Sequence, residues 1–191
     1  MTPKDITTTE RSPRVCPVES AGALDSRLRR LFQDPGKILS PYIKGDMIVL
    51  ELGCGPGYFT IELAKLLGDR GKVVAADLQQ GMLDIVDRKI RGTELEKKVE
   101  LHKCSSDSIG LKFKTDFIFA FYVIHEIPDK RQLFSELHSY LNPGGMIYIA
   151  EPRFHVSAEH FNQMENIMQE KGFNITRKAG TLLNRTITGV I

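Results

Sequence analysis

The amino-acid sequence predicts an α/β fold in which a mostly parallel sheet is wound on both faces by helices. Three observations lead there. From Asp46 onward, apolar runs of six or seven residues alternate with amphipathic stretches of helical period, the pattern of successive strand–helix–strand units. The first run carries Ile48, Val49, Leu50 and Leu52 and is apolar on both faces, as a doubly covered parallel strand is. It ends in Glu51-Leu52-Gly53-Cys54-Gly55-Pro56-Gly57, with glycines at alternate positions ahead of a helix. Such a loop lets the backbone approach a ligand closely, next to the unpaired N–H groups of a helix N-terminus.

The elements follow in order. Met1 to about Arg14 is polar and rich in threonine and charge, and is expected to be mobile. Leu24, Leu28, Leu31 and Phe32 recur at helical spacing behind Ser20, a fitting N-cap. Asp34-Pro35 is a second N-cap, with proline at the first helical position and Ile38, Leu39, Tyr42 and Ile43 as the apolar stripe. Strands are then predicted over 47–52, 72–77, 98–104, 115–121 and 145–150, with helices near 57–67, 80–91, 129–141 and 157–171. Asn142-Pro143-Gly144-Gly145 stops a helix before the fifth strand. The tail departs from alternation, because the strand-like runs 173–178 and 185–191 are joined by a short connection and should pair antiparallel. The sum is a doubly wound, Rossmann-like seven-stranded sheet with a C-terminal antiparallel hairpin. Residues 1–45 are expected as a mobile segment plus lid helices, and 46–191 as the ligand-binding domain.

Composition narrows the function. At 191 residues the chain suits one domain with modest additions. With 26 basic and 24 acidic side chains its net charge is +2, which offers no footprint for a long polyanion, so nucleic acid is not an expected partner. No apolar run approaches the roughly 20 residues that span a bilayer, and the first residues do not resemble a signal peptide. A cytoplasmic protein without membrane partners is expected. Cys16, Cys54 and Cys104 are odd in number and lack C-x-x-C spacing, so neither a disulfide framework nor a metal site is expected.

With its glycine loop and element order, the chain resembles the class I S-adenosylmethionine-dependent methyltransferases over roughly residues 35–191. The specific feature is the acidic residue two before the first glycine, in E-L-G-C-G-P-G. The resemblance implies S-adenosylmethionine as cofactor and S-adenosylhomocysteine as product. It implies that Glu51 and the loop of Gly53, Cys54, Gly55, Gly57 and Tyr58 hold the methionine part, and that Asp77, ending V-V-A-A-D-L, takes the ribose hydroxyls. A carboxylate at a sheet edge is suited to a cis-diol because it accepts two hydrogen bonds. Leu78 and Met82 would flank the adenine. After the third strand, in L-H-K-C-S-S-D-S, Ser105 stands where many relatives carry an aspartate for the adenine amino group. Ser105, beside Ser106, and Asp107 stay open as alternatives.

After the fourth strand, F-A-F-Y-V-I-H-E-I-P-D resembles the stretch beneath the sulfonium in small-molecule methyltransferases, which places Phe121, Tyr122 and His125 near the reaction. His125 and Glu126 are the sharpest acid–base candidates, with Tyr122 the second catalytic candidate; the competing reading of His125 is a packing or backbone-bonded role. Arg153, Glu151 and His155 line the acceptor pocket in one reading and form a solvated loop with a local ion pair in the other. The absence of N-P-P-Y, D-P-P-Y and a Pro-Cys nucleophile disfavours amide, adenine and cytosine acceptors, and the resemblance implies a small-molecule acceptor. The expected assembly is a monomer or homodimer.

Three alternatives stand beside this. A nicotinamide-dependent oxidoreductase would show G-x-G-x-x-G, but Tyr58 occupies the third glycine position. A partner protein that binds the cofactor without catalysis would share the same loop. Arsenite methylation would need Cys16 and Cys104 to converge.

Overall fold

A computed structural model of the chain describes residues 17–18, 33–178 and 180–191. The expected helix behind Ser20 and the expected mobile stretch to Arg14 lie outside the described residues. The described chain opens with α1 (Pro35–Leu39), where Asp34 Oδ1 accepts hydrogen bonds from the N–H groups of Gly36 and Lys37 at 3.0 and 3.4 Å. The helix stops sooner than the apolar stripe suggests. Ile43 nonetheless buries after it, and Tyr42 stacks on Phe117 at 5.8 Å.

The remaining elements are β1 (Ile48–Leu52), α2 (Thr60–Leu66), β2 (Lys72–Asp77), α3 (Gln80–Ile90), β3 (Val99–Lys103), β4 (Thr115–Phe121), α4 (Lys130–Tyr140), β5 (Leu141–Pro152), α5 (Ala158–Glu170), β6 (Asn174–Lys178) and β7 (Asn184–Val190). Short 3₁₀ turns occupy Glu94–Lys97 and Ile124–Glu126. The seven strands form one sheet in the order β3-β2-β1-β4-β5-β7-β6. β1 to β5 are parallel, while β7 runs antiparallel to both β5 and β6, as the tail of the sequence predicts.

Strand period two sorts the core. Leu50, Val74, Ile118 and Ile147 face one side, where α4 and α5 cover them with Phe134, Leu137, Phe161 and Met168. Val49, Val73, Phe117 and Phe119 face the other, beneath Leu39 of α1 and Leu63 of α2. α3 seals that side further along through Leu83, Val86 and Ile90. Each central strand is therefore buried on both faces, which is why β1 reads as an unbroken apolar run.

Two boundaries move. Helix α2 begins at Thr60 rather than 57, because Gly55 and Gly57 hold φ of 51° and 87° and a right-handed helix cannot start through them. Strand β5 begins at Leu141, and Asn142-Pro143-Gly144-Gly145 lies within it as an irregularity rather than ahead of it. Leu141 pairs with Thr115 and Met146 with Phe117, so the intervening residues bulge out of register. Asp116 fastens this corner, accepting from Asn142 Nδ2 at 2.7 Å and from the Ile48 N–H at 2.8 Å. Among the described residues no helix is long and apolar enough to cross a membrane.

Candidate active site

The carboxyl ends of β1, β2 and β4 bring the loops of interest to one edge of the sheet. The chain leaves β1 through Gly53 at φ 68°, and the N–H groups of Gly53 and Cys54 both donate to Ala76 O, at 2.8 and 3.0 Å. These bonds fold the loop over the end of β2. A Cβ on Gly53 would stand 2.5 Å from Val123 Cγ2, whereas one on Gly55 would meet nothing within 4 Å. The loop is thus packed on one side and open at Gly55, as a ligand cradle requires.

Glu51 is 3% exposed, and its Oε2 accepts from Thr60 Oγ1 at 2.5 Å across the loop. Asp77, 7% exposed, ends β2. Its Oδ2 takes the Gly55 N–H at 2.9 Å and its Oδ1 the Gln79 N–H at 2.8 Å. Burial pushes the Asp77 carboxyl above its ordinary range, against the pull of the N–H bonds from Gln79, Gly55 and Leu78 and of the Lys103 charge. Leu78 is 40% exposed at the mouth, and Met82 is buried one turn into α3.

Beyond β3, the alternatives Ser105 and Asp107 prove to be one unit: Ser105 Oγ donates to Asp107 Oδ1 at 2.8 Å, and the Ser108 N–H donates back to Ser105 Oγ at 3.1 Å. Opposite stands the turn after β4. Tyr122 holds φ of 63°, a left-handed conformation that a tyrosine keeps only when its surroundings fix it. They do so at three points: its N–H donates to Ala150 O at 2.9 Å, its hydroxyl donates to Asn184 Oδ1, and Gln33 Nε2 donates to that hydroxyl at 2.7 Å. Tyr58 reaches the same place, donating to Gln33 O at 2.7 Å. The Phe121 ring lies 4.4 Å from that of Tyr122.

These groups surround a cavity of about 410 Å³, within the size range of small-molecule sites. Glu51, Gly53, Cys54, Gly55 and Tyr58 line it from the first loop, and Asp77, Leu78 and Met82 from the second. Ser105, Ser106, Asp107, Phe121, Tyr122 and Glu126 also line it. Gly57 lies outside the lining and serves the turn itself, its N–H donating to Cys54 O at 3.1 Å.

His125 is also outside the lining. Its Nδ1 meets Glu151 Oε2 at 2.5 Å, and its ring stacks on that of His155 at 5.8 Å. Burial works against a charge on His125, but the bond to Glu151 and the negative charges of Glu151 and Glu126 outweigh it and raise the pKa. Glu151 is not part of a solvated loop: it is 1% exposed and also accepts the Ile124 N–H at 2.9 Å, tying the 3₁₀ turn to β5. Arg153 and His155 are exposed. Thr60, Gln33 and Asn184 join the site without any mark in the sequence, since each meets its partner only after the chain has folded back.

Among the described residues no group of three or more potential ligands is arranged for a metal. Burial, reinforced by the charges of Glu51 and Asp77, pushes the Cys54 thiol well up, and burial raises Cys104 to about 11. Neither is the thiolate that a thiophilic acceptor requires. Cys16 lies outside the described residues.

The sheet order, the glycine loop and a carboxylate ending β2 define a class I methyltransferase fold. A family described as "Methyltransferase domain" matches residues 43–186, and the chain belongs to that family. Among curated relatives it is 35% identical over 112 residues to a demethylmenaquinone methyltransferase of Lactobacillus johnsonii, a match covering 57% of this chain and 45% of that one. It is 26% identical over 136 residues to a ubiquinone/menaquinone biosynthesis C-methyltransferase of Cronobacter sakazakii, covering 71% and 53%. The matches thus span about half the length of these relatives. Among solved structures, an S-adenosylmethionine-dependent methyltransferase from Aquifex aeolicus superimposes with a TM-score of 0.82 over 93% of this chain and 100% of that one, at 23% identity. A protein of Methanococcus maripaludis described as a putative S-adenosyl-L-methionine-dependent methyltransferase gives 0.74 over 93% and 95%, at 18% identity. Family membership sets aside the nicotinamide alternative.

Proposed function

We propose that this chain transfers the methyl group of S-adenosylmethionine to a small organic acceptor and releases S-adenosylhomocysteine. The observation that carries the proposal is the convergence on one cavity of the open cradle at Gly55, the Asp77 carboxylate and the Ser105–Asp107 pair. The fit is chemical as well as spatial. Asp77 offers a carboxylate at the cavity for the ribose hydroxyls, Leu78 and Met82 offer apolar contact for a purine, and Asp107 offers an acceptor for an exocyclic amine. Glu51 and the glycine loop lie where the amino-acid part would be held.

When bound, the cofactor supplies an electrophilic methyl group on a positive sulfur. The chain's own part is to align and enclose. Phe121 and Tyr122 line the cavity with aromatic surface, and alignment alone supplies about 7–11 kcal/mol of rate acceleration in well-oriented systems. Where the acceptor must lose a proton, Glu126 is the lining group that takes it, adding about 10²–10⁴-fold. His125 then acts indirectly, through its bond to Glu151, by holding the turn that presents Tyr122 and Glu126. The names of the curated relatives put a quinone ring first among the acceptors to try.

The test is calorimetric titration of S-adenosylmethionine and S-adenosylhomocysteine into wild type and Asp77→Ala, with reduced nicotinamide cofactors in parallel. Micromolar binding of the sulfur compounds is expected, weakened by about 10-fold or more in the variant through loss of a charged hydrogen-bond acceptor. Binding of nicotinamide cofactors alone would overturn the proposal, and so would equal affinity in Asp77→Ala.

A further inference from the structure

Helix α4 carries three polar side chains at spacing four, Gln132, Glu136 and Tyr140, and all three are directed at the loop after β3. At this spacing they lie on one helix face, one above the other. Gln132 Nε2 donates to Asp107 O at 2.8 Å. Glu136 Oε1 collects Ser108 Oγ at 2.6 Å, the Ile109 N–H at 3.0 Å, the Gly110 N–H at 3.1 Å and the Tyr140 hydroxyl. Tyr140 OH in turn accepts from the N–H groups of Gly110 and Leu111 at 3.1 and 3.2 Å. The loop has no strand or helix of its own to satisfy these backbone donors, so without the helix they would have to find other partners.

We propose that Glu136, with Gln132 and Tyr140 on either side of it, is the positioning residue that sets the Ser105–Asp107 pair against the purine of the methyl donor. The inference rests on the donor site proposed above. The Ser105–Asp107 bond alone cannot aim itself, because both residues sit in irregular chain; what aims it is the anchoring of the next residues, Ser108 to Leu111, to a rigid helix. Partial burial works against the charge on Glu136, but the bonds from Ser108, Tyr140, Gly110 and Ile109 hold its carboxyl below the usual range, so it is an anion that attracts all four. Burial and the adjacent carboxylate push the Tyr140 hydroxyl up to about 12, so it stays protonated and donates. Gln132 and Glu136 also line the cavity, so the anchor and the loop belong to one wall.

The consequence is base selectivity. An adenine amino group donates to Asp107, whereas a hypoxanthine oxygen at the same place faces the carboxylate. Calorimetry with S-adenosylhomocysteine and its inosine analogue, S-inosylhomocysteine, on wild type, Glu136→Ala and Glu136→Gln reads this directly. Wild type is expected to prefer the adenine compound by at least about 10-fold, the discrimination one hydrogen-bonded group provides. Glu136→Ala should lose most of that preference, and Glu136→Gln, which keeps an acceptor oxygen, should regain part of it. If Glu136→Ala does not fold, Tyr140→Phe removes only the hydroxyl and should reduce the preference in the same sense. A preference that persists in the variants, whatever their melting temperatures, overturns the assignment, as does a wild type without preference; the donor site stands in both cases. A wild type that binds neither compound overturns this inference and the proposed function together.

Discussion

Gly53→Ala is expected to lower stability by about 2–4 kcal/mol and to abolish measurable donor binding, combining a non-glycine residue in the left-handed region with overpacking. Both terms are visible. Gly53 holds φ of 68°, and the added methyl would stand 2.5 Å from Val123 Cγ2 and 2.8 Å from Val123 Cβ. Val123 belongs to the turn after β4, so the displaced loop would also push on the opposite wall of the cavity. Urea denaturation separates the terms. Gly53→Ala with Val123→Ala should relieve the clash with Cγ2 but keep both the 2.8 Å approach to Cβ and the backbone strain, and so recover only part of the loss. Gly55→Ala, at φ 51° with nothing within 4 Å, should show the strain alone, about 1 kcal/mol. Should Gly53→Ala prove no more costly than Gly55→Ala, the close contact with Val123 is not what demands glycine there.

The second large effect is expected at Glu151. Its side chain is 1% exposed and accepts from the Ile124 N–H and from His125 Nδ1, so Glu151→Ala leaves a buried N–H unpartnered and removes the anion beside His125. A loss of about 2–4 kcal/mol follows from such stranded groups. Its pH dependence has a definite sign. The folded state holds His125 above its ordinary 6.5, so it binds the proton more tightly than the unfolded chain does. This contribution is therefore fully present below the unfolded value and fades as pH rises through the raised folded value. Wild-type urea midpoints should fall across that window, and Glu151→Ala should flatten the profile. An unchanged profile in the variant would mean that another group is responsible. His125→Ala, outside the cavity lining, should alter this pH profile more than donor affinity.

Much of the site was legible because it lies on local sequence. The glycine loop, the carboxylate ending β2 and the aromatic pair at the end of β4 each lie at a strand's carboxyl end, and the parallel sheet brings those strand ends together. The roles of His125 and Glu126 were not legible. Neighbours in a 3₁₀ turn point in different directions, and only the packing of that turn against β5 decides that Glu126 meets the cavity while His125 turns to Glu151. The sequence left Ser105 and Asp107 as separate alternatives because it does not show that the two bond each other.

The sequence by itself determined the sheet, its parallel core and antiparallel tail, the edge at which the cavity lies and the methyltransferase resemblance. All of these rest on periodicity and short spacing, which a chain carries locally. The tertiary structure alone decided which polar groups meet: Thr60 with Glu51, Gln33 and Asn184 with Tyr122, and Glu136 with the loop after β3. Such pairs join residues from 9 to 89 positions apart, and their bonds have direction. Hydrophobic burial is non-directional and can be read from a pattern. A hydrogen bond requires a distance and an angle, which exist only once the elements are packed.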